Sequence, residues 1–226
     1  MNFVQDISPI QERELPRSLA LEDEMKIIIV GATGTLGRAV AENLDADHEI
    51  VRVGFNDGDL NVDITDQNSI RELFEQIGPF DALVSATGAV HFGPLAEISQ
   101  KEWHLGLNNK LMGQINLVME GAKHVRDGGS FTLTAGIISQ DPIRFGTPAT
   151  TVCAAIEGFA ASAALELPRG IRVNVVSPSI LQESVEAFGT AFAGFEPVPA
   201  AVVAQAFRKS VEGARTGQTF YVKGRT

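Results

Sequence analysis

The feature that most constrains the fold of this chain is a glycine-rich turn that joins an apolar run to a helical pattern. Residues 27–30 are aliphatic without interruption, which is typical of a strand buried on both faces. They are followed by the segment Gly31-Ala32-Thr33-Gly34-Thr35-Leu36-Gly37. A helical pattern then covers residues 36–44. This context predicts a strand–turn–helix unit at the start of an α/β domain.

Such a turn forms an anion site for a physical reason. The first N–H groups of a helix have no partner within the helix, and the helix dipole favours negative charge beside them. We expect Gly31 to permit the tight turn, Gly34 to let a pyrophosphate approach, and Gly37 to let the helix pack on the strand. The residues predicted to bind a dinucleotide here are Gly31, Thr33, Gly34, Thr35, Leu36, Gly37 and Arg38.

Length and composition set the limits of the domain. The chain has 226 residues, of which 44% are hydrophobic and 20% charged, enough for a full buried core. We expect one α/β domain over residues 25–226, a doubly wound parallel sheet (Rossmann fold) with helices on both faces. Residues 1–24 are expected to form an N-terminal arm, and residues around 181–199 a short cap.

Charge and cysteine content narrow the partners and the location. The net charge of −10 disfavours nucleic acid and anionic membranes, because phosphate binding needs Lys and Arg. No run approaches the roughly 18 apolar residues of a membrane span. The single cysteine, Cys153, allows no internal disulfide and fits a reducing cytoplasm, so we expect a cytoplasmic protein. No metal site is predicted.

Short apolar runs alternate with helical patterns along the chain. The predicted strands are Lys26–Val30, residues 49–55, 82–85, 130–134 and 172–177, and Thr219–Val222. The predicted helices begin with residues 36–44 and with Gln67–Ile77, which follows the N-cap Asp66. A long helix is predicted from the Ser99 capping box to about Val125. Another begins with Thr147 as N-cap and Pro148 and ends near residues 168–170, and the last covers residues 200–211.

The carboxyl ends of the predicted strands should line one crevice, since ligands of open α/β sheets bind there. Small and polar segments follow several of these strands, where a flat cofactor would lie. The further residues predicted to contact it are Asp63, Ile64, Ala86, Thr87, Gly88, Pro178 and Ile180.

These segments resemble those of the short-chain dehydrogenase/reductase family over residues 26–224. The spacing of Gly31, Gly34 and Gly37 is similar to that of the atypical and extended branches. Residues 62–66 resemble the segment whose aspartate, here Asp63, holds adenine, and residues 85–88 take the place of the family's Asn-Asn-Ala-Gly. Residues 172–178, Arg-Val-Asn-Val-Val-Ser-Pro, closely resemble the run that precedes the nicotinamide. The resemblance implies NAD(P) binding and hydride transfer.

The same resemblance implies a catalytic serine, tyrosine, lysine and asparagine, and this chain departs from all four. By their flanking patterns, these roles fall on Ala135, Ala149, Cys153 and Lys110. The only tyrosine of the chain is Tyr221, in the last predicted strand.

Two explanations follow. In the first, other groups do the proton chemistry: Lys110 or His91 as proton donor, Thr134 as a hydrogen-bond partner of a substrate oxygen, and Arg144 as a partner of a substrate carboxylate. Each has a plainer alternative, such as an ion pair between Lys110 and Glu157, a solvated His91, a Thr134 that satisfies a strand end, or a surface Arg144. Cys153 fits helix packing better than nucleophilic chemistry.

In the second explanation the protein binds NADP without hydride chemistry, as a redox sensor or an assembly partner. We place the oxidoreductase first. The resemblance also implies a homodimer or homotetramer paired through the alanine-rich helix from Thr147 to Leu167 and the helix before it.

The choice between NADP and NAD depends on the residues after the second strand. NAD preference needs a carboxylate there, and Asp57 comes late. Phe55 stands where the family's NADP-binding arginine would be expected. Because Arg38 could reach a 2′-phosphate from the first helical turn, we expect NADP rather than NAD.

Overall fold

The sheet of the computed structural model, which describes residues 24–224, has seven strands. They are β1 (Lys26–Val30), β2 (Glu49–Gly54), β3 (Leu60–Asn61), β4 (Phe80–Ser85), β5 (Val125–Thr134), β6 (Arg172–Pro178) and β7 (Thr219–Val222). All neighbouring strands are parallel, in the order β3-β2-β1-β4-β5-β6-β7. The predicted doubly wound α/β sheet is therefore confirmed.

Seven α-helices accompany the sheet over the described residues. They are α1 (Thr35–Leu44), α2 (Gln67–Ile77), α3 (Gln100–His104), α4 (Met112–Gly121), α5 (Thr147–Ala163), α6 (Val185–Phe188) and α7 (Ala200–Glu212). Local sequence explains two starts: the Asp66 side chain accepts from the Asn68 N–H, and Ser99 and Glu102 form a full capping box.

The strand order places a switch point between β1 and β4. The chain runs outward from β1 through β2 to β3, then crosses back to β4 and continues to β7. The connections on either side diverge, so a crevice opens between the carboxyl ends of β1 and β4. The glycine turn after β1 and the segment after β4 both lie at this crevice.

Two apolar cores flank the sheet. One holds Phe74, Phe80 and Phe131 together with buried residues of α4 and α5. The other holds Ile27, Ile29 and buried residues of α1 and α7. Both faces are therefore covered, as the aliphatic composition of the strands predicts.

Three predicted helix boundaries are wrong, and one short strand was missed. α5 ends at Ala163 rather than near residues 168–170. The long helix ends at Gly121 rather than near Val125, because Val125 begins β5 and pairs with Phe80. The N-cap of α5 is Gly146, and Thr147 is its first helical residue. β3 was not predicted, since two residues are too few for a periodic signal. The predicted arm of residues 1–24 lies outside the described residues, apart from Glu24.

An irregular segment separates α3 from α4. Residues Leu105–Leu111 form a π-helix, so the chain from α3 to α4 is continuous but locally widened. π-helical turns are rare and occur frequently at functional sites. This segment carries Lys110.

Candidate functional site

The turn between β1 and α1 bonds the N–H groups of Gly31, Ala32 and Gly34 to backbone carbonyls and leaves the first N–H groups of α1 without a side-chain partner among the described residues. Gly34 is the N-cap of α1, and no side chain caps this helix. Gly31 has φ +84°, and a Cβ there would lie 2.6 Å from the carbonyl oxygen of Ala86. A Cβ on Gly37 would collide with the backbone of Gly31. The turn is thus fixed by two glycines, and the free N–H groups at the start of α1 form the geometry of an anion cradle.

Gly34 differs from the other two glycines. A Cβ at Gly34 would meet only the carbonyl oxygen of Gly31, at 3.4 Å, and its backbone is extended with φ −75°. The turn itself therefore does not require glycine at position 34. The lack of a side chain there leaves open space beside the turn. This cradle fits the pyrophosphate of a dinucleotide.

Near the start of α1, the glycine turn is flanked by a cation, Arg38, and by a carboxylate, Asp57. Arg38 is exposed and has no ion pair within residues 24–224, whereas Arg52 is paired with Asp45 at 3.0 Å. Asp57 lies beside the turn, with the Thr33 hydroxyl 3.4 Å from its Oδ1. Phe55 is 65% exposed. Arg38 is accordingly the residue that fits a phosphate at this end, and Asp57 the residue that fits a ribose hydroxyl.

Asp63 keeps one oxygen available. Its Oδ1 accepts from both the backbone N–H and the hydroxyl of Thr65, while its Oδ2 has no partner in the described part of the chain. Ile64 is buried against Gly113, where a Cβ would approach its Cδ1 to 2.6 Å. The segment after β3 is therefore held rigidly with one carboxylate oxygen free.

The segments after β4 and β6 complete the crevice. Ala86 donates its N–H to the carbonyl of Val30, and its own carbonyl lies over Gly31. Pro178 is half-buried at the end of β6. Ile180 is buried farther along and lines a cavity of about 420 Å³, together with Val185, Phe192 and Phe195. A bridge between Leu181 and Val198 joins the two ends of the segment 181–199, for which a cap was predicted.

Lys110 is buried at this crevice without a partner. It is 9% exposed, and its ammonium has neither an ion pair nor a hydrogen bond within residues 24–224. Its side chain packs on Gly88, where a Cβ would lie 2.6 Å from Lys110 Cγ. Burial lowers the pKa of Lys110, and the nearby thiol of Cys153 opposes this shift. The expected alternative of an ion pair with Glu157 is wrong, because Glu157 is bonded elsewhere.

Thr134 is engaged by its neighbours. Its hydroxyl donates to the carbonyl of Ser85 at 2.6 Å, so its proton is not free for a substrate oxygen. This bond agrees with the plainer alternative, a strand end satisfied by its own side chain, and the hydrogen bond between Thr134 and a substrate oxygen stays a prediction.

The other candidate residues, His91 and Arg144, have partners of their own. His91 pairs with Glu102 at 3.5 Å, near the start of α3. Arg144 stacks on the Phe145 ring at 4.7 Å and is exposed. Among residues 24–224, no hydrogen bond or ion pair joins either side chain to Lys110 or Thr134. The structure links Lys110 and Thr134 through hydrogen bonds of Gln114 to the backbone of both, and among the described residues it shows no such link for His91 or Arg144.

Sequence reasoning missed a hydroxyl–carboxylate cluster below this site. Glu157 on α5 accepts from Ser139 at 2.6 Å, from Ser177 at 3.0 Å and from Tyr221 at 2.9 Å. Burial and the Glu157 carboxylate raise the pKa of Tyr221. Glu157 lies one helical turn after Cys153. Burial raises the pKa of the Cys153 thiol, Lys110 opposes this rise, and the charge of Glu157 adds to it. The only tyrosine of the chain therefore serves an internal hydrogen bond.

Neither a membrane helix nor a three-residue metal cluster is found. Within the part of the chain that the structure describes, no helix has the length and apolar character of a membrane span. No group of three His, Cys, Asp or Glu residues in residues 24–224 is arranged to hold a metal ion.

Comparisons with known proteins agree with this architecture. A family model described as enoyl-(acyl carrier protein) reductase matches residues 19–218. An uncharacterized oxidoreductase of Methylorubrum extorquens is 24% identical over 203 residues, which cover 79% of this chain and 81% of that protein.

Two solved structures are similar over most of their length. The protein lin1944 from Listeria innocua is 50% identical with a TM-score of 0.86, covering 88% of this chain and 99% of its own. A small-chain dehydrogenase in complex with NADPH shares the fold, with 24% identity and a TM-score of 0.81 over 89% of this chain and 97% of its own. The match to the family model agrees with the glycine turn and the strand order. The chain therefore belongs to the short-chain dehydrogenase/reductase family of NAD(P)-dependent oxidoreductases.

Proposed function

We propose that this protein is an NADP-dependent reductase of a carbonyl compound in which Lys110, rather than a tyrosine, supplies the proton. The observation that carries the proposal is the burial of Lys110 at the crevice with no acceptor for its ammonium within residues 24–224. A buried cation without a partner is costly, so such positions are commonly functional.

The residues of the chain have separate tasks. The glycine turn would hold the pyrophosphate, and a bound nicotinamide dinucleotide would supply the hydride. The protein must then neutralise the oxyanion that develops on the substrate. Lys110 would donate one proton to that oxygen, becoming a neutral amine, and would regain a proton from solvent after product release. Ala135 and Ala149 stand where the resembled family has its serine and its tyrosine, and an alanine side chain has no proton to donate. Lys110 is therefore the donor that we propose.

The expected pH dependence follows from the lowered pKa of Lys110. Only the protonated ammonium is a donor, so the rate is expected to fall as the pH rises through the pKa of Lys110. Because burial lowers that pKa, the fall should begin at a lower pH than a solvent-exposed lysine would give.

NADP is the proposed cofactor. Arg38 supports it as an exposed cation with no ion pair among the described residues, and the structurally similar small-chain dehydrogenase was solved with NADPH. Asp57 supports the competing choice of NAD, because a carboxylate beside Thr33 suits a ribose hydroxyl better than a phosphate.

The test is turnover of a carbonyl panel, followed as the loss of the reduced-nicotinamide absorbance. Lys110→Met is expected to lower turnover by about 10²–10⁴-fold. Tyr221→Phe, the matched control, should stay within a few-fold of wild type. His91→Phe tests the second predicted donor, and a large loss there with none in Lys110→Met would reverse the assignment.

A second function is a non-catalytic NADP-binding protein, acting as a redox sensor or assembly partner. The engaged hydroxyl of Thr134 favours it, because no hydroxyl is left at this strand end to orient a substrate. Tight NADPH binding with no turnover of any carbonyl would establish this alternative.

We also propose a cytoplasmic homodimer or homotetramer. The single cysteine, which is buried and free, supports a reducing compartment. Exposed Met112 and Met119 on α4, together with the small residues of the exposed face of α5, support pairing through these two helices.

A further inference from the structure

Gln114 joins the segment that carries Lys110 to the end of β5. It lies on α4, is fully buried, and uses its side-chain amide in three hydrogen bonds. Its Nε2 donates to the carbonyl of Lys110 at 3.1 Å and to the carbonyl of Thr134 at 3.0 Å, while its Oε1 accepts from the Thr134 N–H at 2.8 Å. One amide therefore fixes two backbone positions at once.

The location of these bonds is specific. Lys110 is the next-to-last residue of the π-helical segment Leu105–Leu111, where the helical hydrogen-bond pattern changes. Thr134 is the last residue of β5, and its hydroxyl is in turn bonded to Ser85 at the end of β4. The chain of bonds thus runs from the Lys110 backbone to the carboxyl edge of the sheet, where the crevice lies.

The ammonium of Lys110 has no hydrogen bond or ion pair to any residue from 24 to 224 that would hold it in place. The contact that limits it is packing on Gly88, and the titratable group that faces it is the thiol of Cys153 on α5. Glu157 faces Cys153 rather than Lys110 as a charged neighbour. The position of the ammonium consequently depends on where the backbone of Lys110 is fixed.

We propose that Gln114 is a positioning residue that holds the Lys110 backbone against the end of β5 and thereby keeps the ammonium inside the crevice. The proposal rests on the proposed function for its chemical meaning. Whether the amide of Gln114 sets the environment of Lys110 can be tested without measuring turnover.

The experiment is a direct titration of the Lys110 ammonium by lysine-selective NMR, with the signal assigned by its loss in Lys110→Met. In Gln114→Met the side chain keeps its length but loses all three hydrogen bonds. Lys110 should then move toward solvent, and its pKa should rise toward the ordinary lysine value by about one unit or more.

A matched control separates positioning from general damage. Asn174 is another fully buried amide with three hydrogen bonds, to Ser210, Arg215 and Gln218, and it has none to Lys110. Asn174→Leu should lower the melting temperature as Gln114→Met does, while the Lys110 titration stays at its wild-type position. Equal shifts in both variants would assign Gln114 a merely structural role.

A second variant covers the case in which Gln114→Met does not fold. Gln114→Asn keeps an amide but is one methylene too short to reach both Lys110 and Thr134, and it should give a smaller rise of the same sign. An unchanged titration in whichever variant folds would overturn the proposal. Normal turnover of Lys110→Met would instead remove the proposed function and leave the titration result intact.

Discussion

At the scale of single residues, Lys110 shows a conflict between stability and chemistry. Its burial without an ion pair costs free energy, whether the ammonium is desolvated or gives up its proton. Lys110→Met keeps the length of the side chain and removes that cost. The variant is expected to be more stable than wild type, with a gain of about 2–4 °C in melting temperature per kcal/mol recovered.

The gain in melting temperature that we expect from Lys110→Met should depend on pH. A lysine with a lowered folded-state pKa binds fewer protons when folded than when unfolded, so it destabilises the fold most below its folded pKa. This penalty diminishes as the pH rises toward the unfolded value of about 10.4. The melting temperatures of the two proteins should therefore differ most at pH values below the folded-state pKa of Lys110 and converge in alkali. A less stable Lys110→Met would contradict the strained position that we describe.

Arg38 carries the cofactor prediction. Charge-assisted hydrogen bonds to a phosphate contribute about 1.5–3 kcal/mol, so Arg38→Ala should weaken NADPH binding by roughly 10–100-fold and leave NADH nearly unchanged. Calorimetry with both nucleotides measures this. Arg52→Ala is the control, since Arg52 is already paired with Asp45. If NADH binds more tightly to wild type and Arg38→Ala has no effect, Asp57 is the ribose ligand and the cofactor is NAD.

Residue identities predicted some of the site but not its connections. The flanking pattern singled out Lys110, and its burial at the crevice agrees with a special position. The engagement of Thr134 with Ser85, and of Tyr221 with Glu157, depends on elements far apart in the chain. Nothing local in the sequence marks such contacts. Gln114 was missed for the same reason, because it has the appearance of an ordinary helix residue.

At the scale of elements, the β1–α1 turn separates folding from binding. Gly31 and Gly37 are required by the turn itself, whereas a side chain on Gly34 would meet only the Gly31 carbonyl oxygen at 3.4 Å. Gly34→Val should consequently fold, with circular dichroism unchanged and a melting temperature close to wild type. Its side chain would fill the space that a pyrophosphate needs, and calorimetry should show nucleotide binding largely lost. Wild-type affinity would remove the nucleotide site from this turn.

The elements were predictable to different degrees. Buried parallel strands are continuous aliphatic runs, so β1, β4 and β6 are visible in the sequence within one or two residues. The end of α4 was not, because residues 121–125, Gly-Ala-Lys-His-Val, contain no proline, and the glycine pair that indicated the helix end comes only at Gly128 and Gly129. β5 also tolerates Gly128 and Gly129, at an irregularity in its pairing with β4, where glycines usually suggest a loop.

The π-helical segment Leu105–Leu111 lies beyond sequence patterns altogether. Its residues fit an ordinary α-helix, and only the packing of Lys110 on Gly88 and the Gln114 bonds identify the widened turn. Local propensity yields here to tertiary contacts, which is expected where an element serves a site.

At the scale of the whole molecule, the surface of α4 and α5 exposes apolar side chains that a monomer would leave in contact with water. Met119 is 62% exposed and Met112 41% exposed, seven residues apart and hence on one face of α4. The exposed face of α5 includes Gly158, where a Cβ would meet nothing within 4 Å. A flat face of small residues beside exposed methionines allows close helix packing between two copies of the chain.

The proposed assembly can be tested by placing charge on this face. Met119→Glu combined with Gly158→Glu should shift the sedimentation mass from that of a dimer or tetramer to that of the 24.1 kDa chain, because like charges in a shared apolar interface repel each other and lose their hydration. Leu95→Glu is the control, since Leu95 is 61% exposed but lies outside these helices, and it should leave the mass unchanged. Both variants should keep the glycine cradle intact, so nucleotide affinity measured at high protein concentration reports whether the fold survives. A wild-type chain that sediments as a monomer, or a double variant that keeps the wild-type mass, would refute pairing through α4 and α5.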